Sequence, residues 1–190
     1  MTSLRHNRYL DAARDSILDV GWRRTTLTEV ARRADVSRMT IYRTWPDMET
    51  LLADLMTREW GVVAAVLPER DAEPPTPASI AAGSLAVIGA LRTNPLFRRI
   101  LDVDPELLLP YLLDRPGRSQ EAILAVLALR IQDGQAAGTV VPGDPQTLAR
   151  SLLLIAHGPA LSAQTMVDDD VALADLDGTV CTMITKALQP

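Results

Sequence analysis

Cysteine occurs once in the 190-residue chain, at Cys181, so no disulfide can form within it. Histidine occurs twice, and Phe, Trp and Tyr together seven times. So sparse a set of nucleophiles and imidazoles offers no relay for acid–base or covalent chemistry and no ligand set for a metal. A glycine-rich phosphate loop is also missing, and the expectation is a protein that is not an enzyme and needs no cofactor. Long apolar runs are lacking too. The uncharged stretches PPTPASIAAGSLAVIGAL (74–91) and SLLLIAHGPALSAQTMV (151–167) are broken by prolines and by His157-Gly158-Pro159. Neither supplies the roughly 20 continuous apolar residues of a membrane span. MTSLRHNRYLD lacks the apolar core of a secretory signal. No membrane association is expected. A lone thiol fits a reducing compartment, and the expected location is the cytoplasm. The β-branched alternation of strands is nowhere found, nor is any repeat.

What remains is helical and globular, with 47% hydrophobic and 23% charged residues. The net charge of −5 is unevenly spread: residues 1–45 carry +4 and residues 46–190 carry −9. A basic end on an acidic body is expected where one end meets a polyanion. Leu10, Ala13, Ile17 and Val20 recur at helical spacing, and Gly21 supplies a stop. TLTE offers a capping box in which Thr26 and Glu29 satisfy each other's backbone N–H groups. Asp47 is a good N-cap for a helix over 47–66 carrying Leu51, Leu52 and Leu55. LPERDAEPPTPA (67–78) reads as a loop, and further helices are predicted over 78–92, 95–101, 104–114, 118–137, 145–166 and 169–188. Asp168, Asp169 and Asp170 are read as the cap and first turn of the last of these, not as a metal site.

Two of the predicted helices have no polar face, through AILAVLAL (122–129) and LLLIAHGPAL (152–161). Either both are covered within one subunit, or the helices near 118–137 and 145–166 pack against a second copy as a four-helix interface. The second arrangement is the economical one for so small a domain.

VARRADVSRMTIYRTW (30–45) divides into two short helices around a turn. Val30, Ala31, Ala34 and Ile41 face inward and Val36 fills the turn. That is a helix-turn-helix, whose second helix enters the major groove of DNA. Arg38 and Arg43 suit phosphate or guanine, Thr40 suits a base edge or a thymine methyl, and Met39 offers only apolar contact. The hydroxyls of Ser37, Tyr42 and Thr44 can reach phosphate, and Thr26 with the free N–H groups at its helix start makes a further phosphate site. Arg32 and Arg33 either line a solvated face or touch DNA. Trp45 either closes the small core or touches DNA.

The run GWRRTTLTEVARRADVSRMTIYRTWPDMETLL (21–52) resembles the N-terminal domain of the tetracycline-repressor (TetR) family of transcriptional regulators. Members show a glycine and an aromatic, then Thr-Thr, then A-x-x-A-G-V-S-x-G-T-x-Y-x-x-F, then an N-capped helix opening with K-E. This chain departs at Asp35 (turn glycine), Met39 (glycine near the start of the reading helix) and Met48 (a lysine that touches phosphate). The resemblance implies an all-α protein: a three-helix DNA-binding domain over 1–46, and a larger helical ligand-binding and dimerisation domain over 47–190. It also implies a homodimer on a palindromic operator, released as a repressor by a small-molecule effector. On segments that line the pocket in such proteins lie Trp60, Phe97 and Tyr111, and His157 interrupts an apolar helix beside Leu154 and Ile155. Core packing is the favoured reading for each of these four over a pocket role, and His157-Gly158-Pro159 also reads as a helix kink. If they are functional, the effector is small and mostly apolar.

Overall fold

The computed structural model describes residues 2–64 and 73–190, and every regular element among them is helical. In chain order these are α1 (Thr2–Val20), α2 (Leu27–Arg33), α3 (Arg38–Thr44), α4 (Met48–Ala64), α5 (Pro77–Thr93), α6 (Pro95–Val103), α7 (Leu109–Leu113), α8 (Arg118–Ala136), α9 (Pro145–Ser162) and α10 (Leu173–Ala187). Short 3-10 turns occupy Pro105–Leu108 and Ala163–Met166. Residues 65–72, which include the first half of the loop expected at 67–78 and the end of the helix expected over 47–66, lie outside the described residues. The chain forms two compact units, residues 1–61 with 93–119, and residues 62–92 with 120–190.

The first unit is built on the periodicity seen in the sequence. Leu10, Ala13 and Ile17 of α1 are buried against Leu27, Val30, Ala31, Ile41, Leu51 and Leu55, with Leu96 and Ile100 of α6 in the same core. α1 stops at Val20 because Gly21 turns the chain at φ +84. A side chain there would also crowd Asp104 Oδ2, 3.1 Å from an added Cβ. Asp104, the buried C-cap of α6, accepts the Trp22 backbone N–H at 2.7 Å and faces Arg23, which also pairs with Glu106. The α1–α2 corner is thus tied down from 82 residues further along the chain. Asp47 caps α4 as expected, accepting from Thr50 N–H at 2.7 Å.

In the second unit Ile80, Ala81, Leu127, Ala128, Ile131, Val140, Ala149, Leu152 and Ile184 form the core. Thr76 and Ser79 exchange hydrogen bonds to cap α5. Arg92 of α5 grips Asp177 of α10 through both terminal nitrogens, at 3.2 and 2.6 Å. Gly134 is required at the end of α8, since an added Cβ would lie 2.5 Å from Val140 Cγ2. α9 runs through Pro159 to Ser162, so the His157-Gly158-Pro159 interruption does not end the helix.

Two sequence expectations are corrected here. Asp168, Asp169 and Asp170 do not cap the last helix, which starts at Leu173. Asp168 instead accepts from the N–H groups of Asp170 and Val171, both at 2.9 Å, closing a turn of its own ahead of the helix. The helix start is served by Asp175, which accepts from Ala172 N–H at 3.3 Å. The capping box at α2 is formed in one direction only. Thr26 accepts from Glu29 N–H at 3.2 Å, while the Glu29 carboxylate holds Arg32 and Arg33. Charge-assisted bonds to two guanidinium groups are stronger than one to a backbone amide, and both arginines lie within a helical turn.

Asp35 is the one non-glycine residue with positive φ (52) among the described residues. It closes α2 in the left-handed conformation, with Val36 N–H bonded to Ala31 O at 3.0 Å and Asp35 N–H to Arg32 O at 3.3 Å. This is the Schellman arrangement, which favours glycine at that position. Asp35→Gly is expected to stabilise the protein by about 0.5–1 kcal/mol, and Asp35→Val to destabilise it by about 1–2 kcal/mol. Urea unfolding at constant m measures both, and equal midpoints for the two variants would contradict the strain argument.

Candidate nucleic-acid interface

α3 has only seven residues and is fixed at both ends. At its start Ser37 accepts from Thr40 N–H at 3.2 Å and exchanges a 2.9 Å bond with the Thr40 hydroxyl. At its end Trp45 is fully buried at 0% exposure, its indole N–H donating to Asp54 Oδ2 at 2.8 Å. The His6 ring lies against the indole at 4.7 Å between centroids, and Tyr9 meets it edge-on at 6.3 Å. Arg118 approaches the other Asp54 oxygen at 3.1 Å. Trp45 therefore closes the core of the module and is not available to DNA. Ile41, also fully buried, is the second inward anchor.

The other side of α3 is left to solvent. Ser37, Arg38, Met39, Tyr42, Arg43 and Thr44 are exposed and Thr40 is half-buried. The Thr44 hydroxyl donates to Thr40 O at 3.1 Å, keeping its oxygen free to accept. Met39 at 77% and Tyr42 at 47% are conspicuous as large side chains left open to solvent. Thr26 is exposed at the start of α2, beside its own helix N–H groups.

The arginines of this region fall into two groups. Arg32 and Arg33 are engaged by Glu29, and Arg33 also by Asp19 at 2.6 Å. Those hydrogen bonds, from Arg32 and then Arg33, hold the Glu29 carboxyl down at about 2 and keep it ionised. Both arginines thus belong to a neutralised surface network, as the first alternative for them had it. Arg38 and Arg43, by contrast, have no acidic partner among the described residues. The same holds for exposed Arg24, which the sequence reading passed over although it stands two residues before Thr26. An arginine next to a helix start with no carboxylate at helical spacing was the signal available for it. Residues 24–44 present three uncommitted guanidinium groups, four exposed hydroxyls and the apolar side chain of Met39 on a scaffold pinned from behind.

The four pocket candidates are differently placed. Trp60 and Phe97 pack edge-to-face at 5.6 Å in the first unit, with Phe97 buried. Tyr111 is on α7 in the same unit, partly exposed. His157 is in the second unit, half-buried on α9, where burial pushes its imidazole below the usual value and favours the neutral ring. Gln120 lies 3.4 Å from His157 Nε2.

Each apolar helix is covered on one side only by the described residues, with Leu127, Ala128 and Ile131 of α8 and Ala149 and Leu152 of α9 buried. Leu129 on α8 is 60% exposed and Leu154 on α9 is 69% exposed, with Val126, Ile155 and, on α10, Met183 also open to solvent. No single helix among the described residues is long and apolar enough to cross a membrane.

Residues 10–55 match the family model described as bacterial regulatory proteins, tetR family. An uncharacterised HTH-type transcriptional regulator of Mycobacterium bovis is 36% identical over 181 residues, covering 92% of this chain and 93% of its own. A Mycobacterium tuberculosis counterpart is 35% identical over the same span and shares. Among solved structures, the flavonoid-responsive regulator FrrA superposes with a TM-score of 0.71 at 22% identity, covering 99% of this chain and 98% of that one. Bacillus subtilis FadR in complex with stearoyl-CoA gives 0.69 at 17% identity, over 95% and 97%. The Rhodococcus erythropolis repressor QsdR gives 0.66 at 19%, over 99% and 96%. The helix-turn-helix, the all-helical fold and relatives matched over nearly their whole length agree: this chain belongs to the TetR family of bacterial transcriptional regulators.

Proposed function

We propose that the protein is a homodimeric, cytoplasmic repressor that binds a palindromic operator through α3 and is released by a small, mostly apolar effector. The observation that carries the DNA-binding half is the exposed face of α3, with Arg38 and Arg43 unpaired while their neighbours Arg32 and Arg33 are neutralised. In this reading Arg38, Met39 and Thr40 meet base edges near the start of the helix. Thr26, Ser37, Tyr42, Arg43 and Thr44 engage phosphates, together with Arg24, and fix the register. Two such heads fit one face of the duplex when their half-sites lie about 34–36 Å apart.

Dimerisation is supported by the uncovered side chains on α8 and α9, above all Leu129 and Leu154. Apolar surface of this kind is stabilised by a second copy at about 25 cal/mol for each Å² removed from water. Effector release is supported by the family and by the names of two proteins of the same fold, one flavonoid-responsive and one solved with stearoyl-CoA. Trp60, Phe97 and Tyr111 in the first unit, and separately His157 in the second, are proposed as effector-contacting residues. Release then works by population shift: an effector that favours a separation of the heads unlike that of the operator weakens DNA binding, and DNA weakens the effector equally.

Three measurements test this. Binding to duplex from the gene's own upstream region should fall steeply with salt, with a log–log slope of about −0.9 for each phosphate neutralised. Salt-insensitive binding, or none, would refute the DNA-binding reading. Arg38→Ala should relax sequence preference by about tenfold or more, whereas Tyr42→Phe should weaken all sequences nearly alike. The reverse pattern in competition titrations would invert the assigned roles. Leu154→Glu should raise the dimer dissociation constant by at least about tenfold, read by sedimentation, because it puts a charge where the proposed interface would bury an exposed leucine. An unchanged mass would remove α9 from the interface.

A further inference from the structure

Met39 is an apolar side chain left standing in a polar surface. It is 77% exposed, at the second position of α3, between Arg38 and Thr40 and one turn from Tyr42 and Arg43. The core beneath α3 is completed by Ile41 and Trp45, so Met39 has no packing role in the free protein. Its thioether is at best a weak acceptor, and it cannot read a base edge by hydrogen bonding. What an unbranched, adaptable chain of this kind recognises in the major groove is the one apolar feature displayed there, the C5-methyl group of thymine. Arg38 and Thr40 on either side supply the polar contacts that set its register.

We infer that Met39 is a specificity-determining residue that selects a thymine in each half-site by burying that base's C5-methyl group against its own side chain. The inference rests on α3 being the DNA-reading helix. It differs from contacts made by Arg38 in requiring no donor or acceptor on the base, and the substitution that probes it removes one methyl group only.

The test starts from duplexes enriched from a randomised pool by the full-length protein at low salt. Each thymine of the enriched motif is then replaced singly by deoxyuridine, which keeps the pairing edge and O4 and deletes the methyl. One thymine in each half-site should show a loss of about fourfold in affinity, the worth of one buried methyl group. Met39→Ala should bind the thymine and deoxyuridine forms of that site equally. A motif indifferent to every thymine methyl, or a penalty that persists in Met39→Ala, would overturn the assignment to Met39 while leaving the DNA-binding reading in place. Enrichment of no duplex at all would overturn both. The deoxyuridine series on the unaltered protein needs no variant, so a folding defect cannot blur the outcome.

Discussion

A helix of seven residues cannot hold itself together in water, and the surface proposed to read DNA is displayed on one. Everything α3 presents therefore depends on what grips it from behind. That grip is the buried indole of Trp45, set at the helix C-cap and bonded to Asp54, with Ile41 one turn earlier. The indole sits between α1 and α4, packs against His6 and edge-on to Tyr9, and converts a marginal helix into a fixed one. Because Asp54 also faces Arg118 and His6, its carboxylate is shared by elements far apart in the chain. The corner before α2 shows the same device, where Asp104 holds the Trp22 amide and Arg23. In both places a single carboxylate secures local structure that local sequence alone would leave loose.

The helical fold and the position of the reading helix were legible in the sequence, since both rest on short-range pattern. Ile41 had to face inward by spacing, and Asp35, where the resembled family pattern has a glycine, takes the left-handed turn. The sequence pattern alone leaves Trp45 between two roles, because its fate depends on Asp54, His6 and Tyr9, which a one-dimensional pattern does not bring together. The capping box at Thr26 failed in one arm for a different reason. The sequence motif names a partner for Glu29 without weighing rivals, and here two arginines compete within one helical turn. The aspartate run at 168–170 misled similarly, as aspartate closes turns as readily as it caps helices.

Charge in this protein is informative only after pairing is taken into account. Arginines dominate the basic residues, yet those on α2 are spent on Glu29 and Asp19, and Arg58 on Asp11 and Glu59. The net +4 of the first 45 residues thus overstates what is free to act. The uncommitted guanidinium groups of Arg24, Arg38 and Arg43 are a smaller and more localised resource than the raw count suggests.

The division into two units has a spectroscopic side. Trp22, Trp45 and Trp60, together with Tyr9, Tyr42, Tyr111 and Phe97, are all the aromatic side chains of these types in the chain, and all fall in the first unit. The second unit, with its core of Ile, Leu, Val and Ala, carries none. Intrinsic fluorescence and near-ultraviolet absorption therefore report the first unit alone, Trp45 from directly beneath α3. Events confined to the second unit are dark at those wavelengths, and become visible there only as far as they disturb the first.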